Sequence, residues 1–146
     1  MKISTKIFGE IEISEKQKIA VKEGLFGFED VEDYVLLDYE EGSPFYWLQA
    51  EHIPEIAFLL IDPNVIVEDY DLAVDKNDLK SIEIEDGDDV LVFTIVTLND
   101  DPSKTTVNLL GPIVINKKTH IAKQLISTNE SYSVRQPLQA VKEAKC

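Results

Sequence analysis

Thr106-Val107-Asn108-Leu109-Leu110-Gly111-Pro112-Ile113-Val114-Ile115-Asn116 is an apolar, β-branched run of strand composition with a Gly-Pro pair set inside it. Proline has no N–H to give to a ladder and glycine has no side chain to pack. The pair therefore predicts an edge, a bulge or a sharp bend in a sheet. Period-2 alternation recurs on the amino-terminal side of this run. In Ile7-Phe8-Gly9-Glu10-Ile11-Glu12-Ile13, Ile11 and Ile13 fall on one face and Glu10 and Glu12 on the other, the pattern of a half-buried strand. Ile19-Ala20-Val21 and Asp33-Tyr34-Val35-Leu36-Leu37-Asp38-Tyr39 read as two more, the latter closed by the Glu41-Gly42-Ser43-Pro44 break.

Phe45-Tyr46-Trp47-Leu48-Gln49-Ala50 and Ile56-Ala57-Phe58-Leu59-Leu60-Ile61, split by His52-Ile53-Pro54, are the most apolar and aromatic runs and the predicted centre of the core. The second is too short for a typical helix and stops at Asp62-Pro63, so it reads as a buried strand. A turn at Asp86-Gly87-Asp88 leads into Val90-Leu91-Val92-Phe93-Thr94-Ile95-Val96-Thr97, which Asn99-Asp100-Asp101-Pro102 ends. Residues 75–81 are the best helical stretch, with Asp75 or Asn77 as cap and Leu79 and Ile82 on one face. Residues 117–126 fit a helical turn and a strand equally. Some eight short strands with one or two short helices at most predict an all-β fold, mainly antiparallel, curled into a small partly closed β-barrel or sandwich.

A chain of 146 residues buries enough surface for one core, so residues 1–138 are expected to form a single domain. Residues 139–146 are read as a C-terminal tail, a candidate for disorder. With 44% hydrophobic and 29% charged residues the composition is globular. Charge is lopsided: 28 acidic residues against 14 basic give a formal net charge of -14, and Arg135 is the sole arginine. Neutralising phosphates takes clustered Lys and Arg, so direct nucleic-acid binding is excluded and a basic partner is favoured. Residues 62–101 hold 13 of the 28 acidic residues, with only Lys76 and Lys80 as counterweights. They are expected to make one face strongly negative, which the basic excess after Pro102 would partly offset if packed nearby. The amino terminus has no apolar core of signal-peptide length, and no run approaches the roughly 18 apolar residues of a membrane span, so a cytoplasmic protein without membrane contact is expected. The single cysteine, Cys146, is the last residue, which rules out an internal disulfide and fits a reducing compartment.

Tests for chemistry come out negative. His52 and His120 are the only histidines and, with one terminal cysteine, do not supply a closed zinc site. Asp69, Asp71 and Asp75 lack the glycine and distal glutamate of an EF-hand loop. Gly24-Leu25-Phe26-Gly27 is not followed by the Lys-Ser or Lys-Thr of a phosphate loop, and there is no nucleophile elbow. No metal, no cofactor and no enzyme activity are expected, which leaves surface for protein partners. For Phe28, Phe45, Tyr46, Trp47 and Phe58 the expectation is core packing. Phe26, in a glycine-flanked loop, is the exception, placed to anchor a partner.

Gly24-Leu25, Gly27-Phe28-Glu29, Leu48-Gln49, Phe58, Asp62-Pro63, Val96-Thr97, Asn108-Leu109, Gly111-Pro112-Ile113, Asn116 and Arg135-Gln136-Pro137-Leu138 occur in an order that resembles the flagellar assembly factor FliW family. The resemblance runs from about residue 5 to residue 138. It implies a small, partly closed β-barrel and a cytoplasmic, non-enzymatic regulator, expected to be a monomer. Two mutually exclusive partners are implied: newly made flagellin and the RNA-binding translational repressor CsrA. On that reading the partner-binding residues are Asn108, Gly111, Pro112, Ile113 and Asn116, joined by Phe26, Asp62 and Pro63. A bulged or edge strand is expected to leave backbone groups unpaired for a partner strand to complete, with Ile113 on the partner face. The acidic stretch 62–101 is expected to steer CsrA. The rival reading is a small acidic binding barrel, or an enzyme, for a cationic small molecule.

Overall fold

The computed structural model describes residues 1–39, 41–85 and 90–138. The expected turn at Asp86-Gly87-Asp88, the tail 139–146 and Cys146 lie outside the described residues. The strands are β1 (Lys2–Thr5), β2 (Gly9–Glu12), β3 (Lys18–Val21), β4 (Asp33–Asp38), β5 (Phe45–Ala50), β6 (Ala57–Ile61), β7 (Val90–Thr97), β8 (Thr106–Asn116), β9 (Ile121–Gln124) and β10 (Gln136–Pro137). The one α-helix among the described residues, α1 (Lys76–Ser81), is capped by Asp75, whose carboxylate accepts from Asn77 N–H at 2.8 Å. Among the described residues no helix is long and apolar enough to cross a membrane.

Strands β3 to β8 pair in sequence order as an antiparallel meander, apart from a single parallel pairing, β3 with β9. Because β9 also pairs with the second half of β8, the sheet closes into a seven-strand barrel. The fold class is the predicted one, and closure is complete. It comes from residues 121–124, the stretch whose sequence fitted helix and strand alike.

Alternation sorts the strands into two apolar faces. Ile19, Tyr34, Leu48, Ala50, Leu60, Phe93, Ile113, Ile115 and Ala122 fill the barrel, with Leu25 from the β3–β4 loop packed among them. The outward set is also covered. Val35 and Leu37 lie under Ile3 and Ile13 of the β1–β2 hairpin. Leu59, Ile61, Val96, Val107 and Leu109 lie under Ile66, Tyr70, Tyr132 and Leu138. Val114 and Leu125 pack with Ile82, Ile84 and Leu79 of the α1 segment. Two-sided burial explains why β6 reads as a continuous apolar run rather than an alternating one. The expected strand over 7–13 shortens to β2, with Ile7 and Phe8 exposed in the turn before it.

Candidate functional site: the β8 bulge and the turn it supports

The Gly-Pro pair makes the bend its sequence predicted. Between two registered pairs, Phe93 with Ile113 and Ile95 with Asn108, β7 advances two residues and β8 advances five. The surplus of three is odd, so the alternation of β8 flips across the bulge. Val107 and Leu109 face the outer cluster, while Ile113 and Ile115 face the barrel interior. One strand thereby serves two cores.

The backbone of the bulge is paired within the chain, which corrects the expectation of an open edge. Asn108 Oδ1 accepts from Leu110 N–H at 3.1 Å and Gly111 N–H at 2.9 Å. Leu109 N–H donates to Ser133 O at 2.9 Å, and Leu109 O accepts from the Tyr70 hydroxyl at 2.6 Å. Leu110 O accepts from Ser127 N–H, Pro112 O from Leu125 N–H, both at 2.8 Å, and Gly111 O from Gln124 Nε2 at 3.0 Å. With these groups taken, strand addition at residues 109–112 would have to displace existing bonds. Gly111 is needed for close approach: a Cβ there would lie 2.9 Å from Asn108 Nδ2 and 3.1 Å from Gln124 Nε2.

Most of the sequence-predicted site residues have internal work. Ile113 is fully buried in the barrel core, so its side chain is a core group and not a partner face as expected. Pro112 is buried. Asn116, 6% exposed, donates to Ile82 O and Glu83 O and accepts from Lys118 and Thr119 N–H, tying β8 to the segment after α1. Asp62 caps the short turn 63–65 by accepting from Asn64 N–H at 2.9 Å, with buried Pro63 as its first residue. Phe26 is different: it is 53% exposed.

The turn carrying Phe26 is anchored on three sides. Leu25 is fully buried in the barrel. Phe28 packs edge-on against Phe58, ring centroids 5.1 Å apart, while remaining 40% exposed. Phe26 N–H donates to Gln124 Oε1 at 2.9 Å. Gln124 therefore clamps the turn with its oxygen and the Gly111 carbonyl with its nitrogen. Gly24 takes φ +66, and a Cβ on it would meet Phe28 O at 2.4 Å, so no other residue fits without moving the turn. Nothing in the sequence singles out Gln124, because its two partners lie 98 and 13 residues away.

Charge at this end of the barrel is negative. Glu23, Glu29, Asp30 and Glu32 are exposed. Lys123 bridges Glu23 at 3.0 Å and Asp78 at 3.8 Å, so one lysine of the basic C-terminal half does reach the acidic stretch. Elsewhere, His52 Nε2 lies 3.6 Å from Asp33 Oδ2 and 3.8 Å from Glu51 Oε2. Glu51 is also held by Lys18 at 3.4 Å, and Asp33 and His52 are solvent-exposed, so this is a surface ion-pair cluster. An apolar groove of about 390 Å³ is lined by Tyr39, Phe45, Leu59, Leu98, Pro102 and Leu138. Two tyrosines carry shifted hydroxyls. Burial pushes Tyr34 up to about 12. Burial, then the neighbouring Tyr132 and Asp71, pushes Tyr70 further up.

The family model for the FliW protein matches residues 2–138. The chain is 41% identical over 139 residues to the flagellar assembly factor FliW of Leptospira interrogans, covering 94% of this chain and 93% of that protein. It is 40% identical over 138 residues to the FliW of Bacillus licheniformis, covering 94% and 96%. A crystal structure of the flagellar assembly factor FliW superposes with a TM-score of 0.85 at 37% identity, covering 94% of this chain and 96% of that one.

Proposed function

This chain belongs to the FliW family of flagellar assembly factors, and from that premise we propose that it binds flagellin in the cytoplasm and antagonises the translational repressor CsrA. The observation that carries the reading is the match over almost the whole chain to proteins named as flagellar assembly factors. Flagellin that accumulates occupies the protein and frees CsrA to repress flagellin translation; export of flagellin releases the protein to sequester CsrA again.

Such a switch needs protein-binding surface and no catalysis. A net charge of -14 supports a basic, RNA-binding partner, because complementary potentials raise encounter rates. Since the β8 backbone is already paired and Ile113 is buried, contact is expected through exposed side chains rather than by strand addition at the bulge. The test is capture of the tagged protein from a flagellated host lysate, with bound proteins identified by mass spectrometry. Recovery of flagellin and CsrA is expected. Recovery of neither would limit the resemblance to the fold.

A further inference from the structure

We propose that the turn at residues 24–30 is a docking site for a basic polypeptide segment carrying a bulky apolar side chain, which seats against Phe26 while its lysines or arginines face Glu29, Asp30 and Glu32. The inference rests on the reading of this chain as a protein-binding regulator, and adds to it a place and a partner chemistry.

Three observations carry it. First, Phe26 is 53% exposed on a turn that is otherwise built into the core. Leu25 below it is fully buried, and Phe28 beside it is held by Phe58. Gly24 N–H donates to Val21 O, Phe28 N–H to Leu25 O, and Val31 N–H to Phe28 O. The backbone that carries the ring has lost its freedom before binding, so the ordering cost that remains when a partner covers it is that of one side chain with two χ angles. Second, the carboxylates beside it want a cation. Glu29, Asp30 and Glu32 are exposed and make no ion pair among the described residues. Lys123 is paired with Glu23 and Asp78, and Lys22 donates to Ser81 O at 3.0 Å. Third, Gln124 joins the turn to the bulge, bonding Phe26 N–H and Gly111 O with one side chain. The bulge in β8 thus helps to set the position of the turn that carries the exposed ring. An apolar centre with a charged rim is the composition of an energetic hot spot, and the negative rim selects a basic partner.

The test uses the full chain and short fluorescein-labelled synthetic peptides, read by anisotropy at physiological salt. One peptide combines lysine with tryptophan, one lysine with glycine, and one glutamate with tryptophan. The Lys/Trp peptide should bind, and the other two should be weaker by about tenfold or more. Phe26→Ser, which leaves the charge unchanged, should weaken Lys/Trp binding by about tenfold or more with an unchanged circular dichroism spectrum. Should Phe26→Ser fail to fold, Glu29→Gln/Asp30→Asn probes the rim instead and should also weaken binding. Equal binding of Lys/Trp and Lys/Gly would reduce the site to diffuse charge and overturn the proposal. So would undiminished binding by Phe26→Ser or by the rim variant, or no binding of the Lys/Trp peptide. Each of these results is independent of whether flagellin and CsrA are captured, so this site and the partner-switch reading can fail separately.

Discussion

Replacing Asn108 by alanine removes one acceptor from two backbone donors. Gly111 N–H is in a buried residue and loses the Asn108 oxygen to which it donates at 2.9 Å; a stranded buried donor costs about 1–3 kcal/mol. Leu110 N–H, bonded at 3.1 Å in a half-buried residue, can recover part of its loss from water and adds about 0.5–1 kcal/mol. The expected total is about 2–4 kcal/mol, a large share of the stability of a domain this size. Asn108→Asp keeps an oxygen where the two N–H groups point and should stay within about 1 kcal/mol of the parent. Urea denaturation followed by circular dichroism reads both: at an m-value of about 2 kcal/mol/M, the alanine variant should lose about 1–2 M in midpoint with m unchanged. A midpoint shift below about 0.3 M for Asn108→Ala, or equal losses for both variants, would refute the view that this side chain closes the bulge.

Gly111→Ala should also destabilise, because its Cβ would crowd Asn108 Nδ2 at 2.9 Å and Gln124 Nε2 at 3.1 Å; in an Asn108→Ala background the loss should shrink, and a double-mutant cycle measures the difference. Ile113→Ala should cost about 2–5 kcal/mol by emptying part of the barrel core, and Ile113→Arg should not yield folded protein; an Ile113→Arg variant that folds and loses only partner binding would contradict the burial. Alkali should unfold the protein progressively. The Tyr34 hydroxyl is raised from 10.0 to about 12, so between those pH values the unfolded chain gives up a proton that the folded one keeps. The contribution of Tyr34 is complete below about pH 10 and is lost by about 1.4 kcal/mol per pH unit from there to about pH 12, a slope that Tyr34→Phe should remove in pH-dependent denaturation while that of Tyr70 stays. Raising salt from low to physiological should slow CsrA association more than flagellin association, and equal salt slopes in stopped-flow or biosensor kinetics would remove electrostatic steering from the account.

What the sequence carried well was local. The Gly-Pro pair announced a bulge because its effect acts on the two residues themselves, and the Asp75 cap and the β-branched runs are likewise near-neighbour signals. What it did not carry is what lies across the bulge. Apart from the local Asn108 oxygen, the acceptors and donors that satisfy residues 109–112 come from Tyr70, Gln124, Leu125, Ser127 and Ser133, none of which alternation or composition connects to the strand. Hence a strand bent by Gly-Pro reads as an open edge, although it is closed from the side. Ile113 was misplaced for a related reason. Its face depends on the surplus of three residues in β8, and a register shift is set by the pairing, not by composition. Strand β9 was ambiguous because four residues offer only two alternations. Phe26 was legible, since adjacent glycines with an aromatic between apolar runs mark a turn. Phe28 was half legible: it packs on Phe58 yet keeps 40% of its surface.

A switch between two protein partners is tested by competition. The chain is loaded with CsrA, purified flagellin is titrated in, and free CsrA is quantified by its binding to a labelled flagellin leader RNA. With mutually exclusive partners, each increment of flagellin should release CsrA and restore RNA binding, until the released CsrA matches the flagellin bound. Simultaneous binding of both partners, with CsrA still held off its RNA at saturating flagellin, would contradict the switch.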